Sequence, residues 1–321
     1  MKDFESSPLV SIGIPTFNRP NGLEIVLKSI LKYNYHNIEI VVSENDPSCY
    51  KSELICRDYP SLLINYTRQE KNIGWIKNFT FVLTHSTGDF FYWHADDDFY
   101  SADFIFEAMI IAKRDINFVS YLGKTICLFS NRRKEVKQSS ISTKNKYSPN
   151  SKLKVCAKIN NMIPPKLKLE EKIPNKFNYF IYGIHNKKIL EQTWLNIQDY
   201  YSNERDLITA LSLQGNIVTN TKTSYYRSIN DNNTGIKYSI LKAIYKVFIL
   251  KDKELNSTEN YKLKRLNPVN ALKLGKLLSN DYIKGKKLFT FLYLSFLIYT
   301  RNLYISIFEI LSSIKKITIK K

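Results

Sequence analysis

Cysteine is too scarce in this chain to staple it. The four residues, Cys49, Cys56, Cys127 and Cys156, lack the close paired spacing of a zinc site and are too few for a disulfide scaffold, so a reducing cytosol fits best. A long apolar run is missing too. Residues 288–300 carry no charge but number only 13, short of the roughly 20 needed to cross a bilayer, and Arg301 stops any extension. The opening residues Met1, Lys2, Asp3, Phe4 and Glu5 hold no apolar core of a signal peptide. Acidic residues are in deficit. With 29 Asp and Glu against 48 Lys and Arg, the net charge of +19 implies anionic partners: phosphorylated substrates, an acidic membrane surface or nucleic acid. No internal repeat is present.

What the chain does have is enough apolar material for a core. At 321 residues and 44% hydrophobic content it supports one large domain, or a domain plus an appendage, and excludes a disordered chain. Periodicity orders the first half. Residues 9–14 read as a strand; Leu23, Val26, Leu27, Ile30 and Leu31 recur at helical spacing; residues 38–42 form a second strand. A strand at 62–67, a helix from about 75 to 83 and a strand at 90–93 continue the alternation. This order predicts a mostly parallel sheet with right-handed crossovers. A helix from 103 to about 112 follows. Residues 132–175 are rich in Lys, Ser, Asn and Pro and read as long loops. Regular structure resumes at 177–184, and Leu207, Leu211 and Leu213 place apolar residues on one side of a helix that begins near Asn203 and is capped by Gly215.

Three consecutive carboxylates, Asp96, Asp97 and Asp98, end the apolar run Phe90, Phe91, Tyr92 and Trp93. Like charges this close repel, and a fold keeps them together mainly when a cation or polyhydroxyl ligand offsets the cost. The plainer alternative is a solvated acidic turn or helix start. Position favours the first: in open α/β sheets ligands bind beyond the carboxyl ends of the strands. Pro15, Thr16, Phe17, Asn18, Arg19 and Pro20 follow the first strand, and Ser43, Glu44, Asn45, Asp46 and Pro47 follow the second. Each alone is compatible with a simple turn. Together they predict three loops converging on one sheet edge.

In this order and spacing the motifs resemble the family 2 glycosyltransferases of the nucleotide-diphospho-sugar transferase (GT-A) fold, of the bacterial type that builds surface polysaccharides. The likeness covers residues 8–235. Val10 to Arg19 resembles the family's opening strand and loop, Ile40 to Asn45 its second strand with an acidic end, and Asn72, Ile73, Gly74 and Asn78 its Asn-x-Gly segment with a following Asn. The Asp triplet, with Asp103 beyond it, resembles the acidic DxD-type motif. The resemblance implies that Glu44 contacts the nucleotide base, Asp96 the ribose, and Asp97 or Asp98 a divalent Mg²⁺ or Mn²⁺ bridging the phosphates. It adds Pro15, Thr16, Phe17, Asn18, Arg19, Asn72, Gly74, Asn78 and Arg227 to the nucleotide site. Glu204, in Asn203-Glu204-Arg205-Asp206-Leu207, falls on the position of the base that deprotonates the acceptor in an inverting, in-line transfer. Here the chain departs from the pattern. Asn203 replaces the usual first acid, Glu204 replaces Asp, and Ile229 stands where many relatives have a His after the Arg. First-turn acids favoured by the helix dipole are the alternative for Glu204 and Asp206. His94, beside the triplet, reads as a supporting residue.

The expected organisation is a catalytic domain over residues 1–236, with its nucleotide-binding half at about 8–115 and acceptor half at about 116–236. A basic amphipathic helical region follows at 237–321, carrying 18 Lys and Arg against 5 Asp and Glu, net +13. Its helices suit an anionic membrane surface, with Tyr293, Tyr299 and Tyr304 at headgroup depth; packing on the domain is the alternative. The resemblance implies a nucleotide-diphosphate sugar donor and a glycan or polyprenyl-diphosphate-linked acceptor, with the protein peripheral on the inner face of the cell membrane. A degenerate relative and a basic nucleic-acid binder are the competing readings, and nucleic acid is not the expected partner.

Overall fold

The structure, a computed structural model, describes residues 7–128, 133–136, 140, 152, 154–156, 159, 178–200, 204–228, 267–281, 291–303 and 306–307. The chain divides into two compact units. The first comprises Met1–Ser142, Tyr179–Asn196 and Gln214–Ile229; the second comprises Thr143–Asn178, Ile197–Leu213 and Asn230–Lys321.

The first unit grows from β1 (Val10–Thr16), buried at nearly every position, as a strand covered on both faces must be. It pairs in parallel with β2 (Ile38–Glu44) and β4 (Phe90–Trp93), and β2 pairs in parallel with β3 (Ile64–Arg68). Between them run α1 (Pro20–Ile30), α2 (Lys51–Arg57) and α3 (Trp75–Thr84). Pro20 opens α1, where a missing N–H costs nothing. Of the expected apolar stripe, Leu23, Val26, Leu27 and Ile30 are the buried face of α1, whereas Leu31 falls at its C-cap and is exposed. Gly74, at φ 81°, makes the turn into α3 that a side chain would resist.

Beyond β4 the expected parallel order gives way to mixed pairing. The short β5 (Phe99–Tyr100) and α4 (Phe104–Arg114) follow the acidic triplet, then β6 (Phe118–Leu128) and β7 (Arg133–Val136). A 3₁₀ turn at Asn178–Tyr182 leads to β8 (Ile184–Asn186), α5 (Lys187–Ile197) and the long β9 (Asn216–Ser228). The sheet order is β3-β2-β1-β4-β8-β6-β9-β5, with β7 on β6. β8 is antiparallel to β4 and β6, β5 antiparallel to β9, and β6 parallel to β9. Aromatic rings bind the two halves of the sheet: from β4, Phe90 lies 5.8 Å from Phe118 of β6, Trp93 lies 6.4 Å from His185 of β8, and Tyr92 lies 5.2 Å from Tyr100 of β5.

The second unit contains α6 (Glu204–Ser212), α7 (Pro268–Asp281) and a helix over residues 291–303. Leu207, Ile208, Leu211, Leu274, Leu278, Leu294 and Ile298 are buried. Leu272, Leu292 and Phe296 remain exposed. Among the described residues no helix is long and apolar enough to cross a membrane. Most of residues 132–175, with Asn203, Phe177, Ile229, Tyr304, the polar run at 230–233 and the basic segment at 237–266, lie outside the described residues.

A side chain at Gly22, in the first turn of α1, would strike the backbone oxygen of Asp96. Gly22→Val should therefore push the acidic loop off β1 and lower stability by about 1–3 kcal/mol, as overpacking does. Urea denaturation against wild type measures it.

Candidate active site

The ends of β1, β2 and β4 bring three loops together, as their sequences predict. From the first, the Thr16 hydroxyl donates to Asp96 Oδ2 at 2.8 Å, and Arg19 Nη1 donates to Asp96 Oδ1 at 2.6 Å. The Arg19 guanidinium also reaches Asp97 Oδ2, with Nη1 at 3.2 Å and Nη2 at 3.3 Å. Asn18 holds the left-handed conformation, φ 51°, that turns this loop, and Phe17 presents its ring to solvent. Pro15 lies within β1 and is half-buried.

The second loop is braced from inside. Glu44 is fully buried, and its Oε1 accepts from the backbone N–H groups of Asn18 at 2.9 Å and Asp46 at 3.0 Å, while Oε2 accepts from the Ser52 hydroxyl at 2.7 Å. Both oxygens are thus engaged by the chain itself, and Glu44 joins the loops after β1 and β2 rather than offering a bare acceptor. Asn45 extends the brace: its N–H bonds Thr16 O, its Nδ2 donates to Asn72 Oδ1, and its Oδ1 accepts from Ile73 N. Asn72 Oδ1 also accepts from Gly74 N at 2.9 Å. Asn78 is buried; it accepts from Ser43 Oγ at 2.6 Å and donates to the carbonyls of Thr16 and Ser43. The Asn-x-Gly segment and its following Asn therefore clamp the carboxyl ends of β1 and β2.

The triplet spreads its charge in different directions. Asp96 faces the first loop. Asp98, nearly buried, accepts from Tyr225 and, at 3.0 Å, from Ser228 N, both at the end of β9. Asp97 has the most exposed carboxylate of these three. Burial pushes the Asp96 carboxyl up to about 6 against the pull of Arg19 and Thr16. It pushes Asp98 up to about 6 as well, against Arg227 and Tyr225. Tyr225 is held well above its ordinary pKa by burial, so it stays protonated and donates. The Arg227 guanidinium lies 5.3 Å and 5.5 Å from the ring centres of Tyr179 and Tyr182, within cation–π range of both. Below the triplet, burial takes His94 down to about 4. It is neutral, with one ring nitrogen 2.8 Å from Ala95 O and the other 3.4 Å from the Tyr33 hydroxyl.

Glu204 opens α6 in the second unit and is half-buried. Among the described residues no group of three or more His, Cys, Asp or Glu side chains is arranged to hold a metal unaided. Tyr225, Ser52 and Arg68 are neighbours of these loops that motif spacing does not reveal. Arg68 stands opposite Glu44 in the β2–β3 register and stacks 3.8 Å from the ring centre of the exposed Tyr50. The resemblance marks only Arg227 at this end of β9, two residues beyond Tyr225.

A family model described as Glycosyl transferase family 2 matches residues 11–193, more than half of the chain. The chain belongs to this family. An uncharacterized glycosyltransferase of Rickettsia typhi is 35% identical over 100 residues, which are 31% of this chain and 30% of that protein. Its counterpart in Rickettsia prowazekii is 34% identical over 100 residues with the same coverage. The chain thus spans under a third of these curated relatives. Among solved structures, S. aureus TarS 1–349 in complex with UDP-GlcNAc aligns at TM-score 0.51 and 16% identity, over 86% of this chain and 74% of that one. The mannosyltransferase PcManGT from Pyrobaculum calidifontis, in complex with GDP-Man and Mn²⁺, aligns at TM-score 0.51 and 15% identity, over 99% and 89%. At such identity the likeness is one of fold: the family's GT-A architecture, a sheet flanked by helices.

The Glu44 brace yields a direct test. Glu44→Ala leaves the buried Ser52 hydroxyl and the partly buried N–H groups of Asn18 and Asp46 without their acceptor and should cost about 1–3 kcal/mol, whereas Glu44→Gln, which keeps Oε1, should cost less than half of that. Chemical denaturation of both variants measures the difference.

Proposed function

We propose that the protein is an inverting, metal-dependent glycosyltransferase that moves a sugar from a nucleotide-diphosphate donor to a hydroxyl of a lipid-linked glycan in O-antigen or capsule assembly. The observation that carries this reading is the convergence of the loops after β1, β2 and β4 on a carboxylate triplet at one sheet edge. Phe17, Asn18 and the loop braced by Glu44 border the base, Asp96 the ribose, and Arg227 the phosphates, which its guanidinium can grip in pairs. Pro15, Thr16, Asn72, Gly74 and Asn78 set the backbone these groups stand on.

The triplet suits Mg²⁺ or Mn²⁺. Hard cations bind one or two carboxylates plus substrate phosphates, so the absence of a complete protein cage among the described residues is no obstacle. The loop already draws one cation, Arg19, across Asp96 and Asp97. Asp97 is the principal ligand in this reading, because Asp98 is engaged by Tyr225 and Ser228. When bound, the ion supplies neutralisation of the departing diphosphate. Glu204 takes the proton from the acceptor hydroxyl, so no covalent intermediate forms. Exposed Val269, Leu272, Leu292 and Phe296, beside exposed Lys273 and Lys276, suit shallow seating on an anionic leaflet, where a lipid-linked acceptor lies.

Two variants divide binding from chemistry. Asp97→Ala should lose both transfer and metal-dependent nucleotide binding; Glu204→Gln should lose transfer and keep binding. Calorimetry alongside a nucleoside-diphosphate release assay reads both, and wild-type turnover in the two variants would sink the site assignment. Metal binding should also follow pH. Asp96 and Asp98, raised to about 6 by burial, must be ionised to attract a cation. Mn²⁺-dependent nucleotide affinity should therefore fall about tenfold from about pH 7 to about pH 5, beyond the nucleotide's own titration.

A further inference from the structure

Residue Arg301, which interrupts the most apolar stretch of the chain, is 1% exposed. Its Nη2 donates to Asp206 Oδ1 at 2.6 Å, and the exposed fractions of the two side chains are 1% and 0%. Asn302 Oδ1 accepts from the same guanidinium, from Nε at 3.1 Å and Nη2 at 2.8 Å. All of these groups belong to the second unit. The helix over 291–303 that carries Arg301 is itself fixed: Leu294 and Ile298 are buried, and a side chain at Gly275 of α7 would lie 2.9 Å from Ser295 N. Burial, with Arg301 adding repulsion, drives the neighbouring Arg205 down to about 10. Two cations, Arg205 and Arg301, thus meet two acids, Glu204 and Asp206, around the first turn of α6, and Asp206 is the buried one of the two acids.

An ion pair this dry is a costly way to hold two helices. Apolar side chains of the same size usually do as well, because both charges give up water, while a lone buried charge is far worse. What the pair adds is direction. A guanidinium accepts only a narrow set of carboxylate geometries, so it fixes the rotation of α6 about its own axis. Residues two apart on a helix point about 200° apart. With Asp206 locked inward, Glu204 is turned to the opposite side and stays half-buried.

We infer that Arg301 is a positioning residue for sugar transfer: its buried pair with Asp206 sets the rotation of α6 and so the direction of the Glu204 carboxylate. The inference rests on the proposed role of Glu204 as the base. It makes the C-terminal helical region part of the transfer machinery, whatever surface that region also touches.

The test uses four full-length variants: Glu204→Gln, Arg301→Lys, Arg301→Met, and Arg301→Met combined with Asp206→Leu. The combined variant removes the pair without stranding a charge, so it keeps the test alive if Arg301→Met fails to fold. Each is measured for unfolding midpoint, for Mn²⁺-dependent binding of uridine, thymidine, cytidine and guanosine diphosphates, and for kcat and KM of diphosphate release from the matching nucleotide sugars. Hydrogen exchange of the amides over 205–212 reads the anchoring of α6 directly. The combined variant should keep its midpoint and its nucleotide affinity. Its α6 amides should exchange faster, and kcat should drop between about tenfold and a hundredfold at unchanged donor KM, as misplacement by about 1 Å does. Arg301→Lys should recover part of that loss. Wild-type kcat in the combined variant, with Glu204→Gln inactive, would overturn the inference and leave the pair a packing device. Full activity in Glu204→Gln would instead remove the base reading, and unchanged α6 exchange in the combined variant would then overturn the anchoring too.

Discussion

Everything at the sheet edge depends on how three adjacent carboxylates are kept from repelling one another. The fold solves this by direction. Asp96 is turned to Thr16 and Arg19 after β1, Asp98 to Tyr225 and Ser228 at the end of β9, and Asp97 is left the most open. Each tether costs solvation, and burial accordingly lifts Asp96 and Asp98 to about 6. The cost is tolerated because the tethers also do structural work, joining residues 77 to 130 positions apart in the chain. The triplet is therefore held apart by groups of the chain itself, in the arrangement the proposed cation site uses.

The loops around the triplet are organised by buried polar side chains rather than by packing alone. Glu44, Asn45 and Asn78 together bond the backbone of Thr16, Asn18, Ser43, Asp46 and Ile73. Fully satisfied networks of this kind rigidify, since each unmade bond in a dry interior is expensive. Rigidity matters for a transfer reaction, in which binding and orientation account for much of the rate. Membership of the glycosyl transferase family 2 gives this rigid edge its context, and the proposed donor site is its functional counterpart.

The first half of the fold was legible in the sequence because three of its strands, β1, β2 and β4, are mostly buried. Ile40 to Val42 and Phe91 to Trp93 are continuous apolar runs, Val10 to Ile14 is interrupted only by Ser11 and Gly13, and each ends in a polar loop. The second half was not. β9 passes through Thr219, Asn220, Thr221 and Lys222, whose polarity hides a strand, and β6 pairs with it through two register shifts. Motif order located Glu44, but no local pattern tells that both its oxygens are taken by Asn18, Asp46 and Ser52. Arg301 was legible as a break in an apolar stretch. Its partner Asp206 lies 95 residues away, beyond the reach of any periodicity.

The claim on which the account rests is that this sheet edge binds a nucleoside diphosphate through a divalent cation. The most direct measurement is the thermal stabilisation of the protein by uridine, thymidine, cytidine and guanosine diphosphates, each with and without Mn²⁺. The account predicts a clear upward shift with one nucleoside, present only with the metal. Equal shifts with and without Mn²⁺, or none with any of the four, would contradict it.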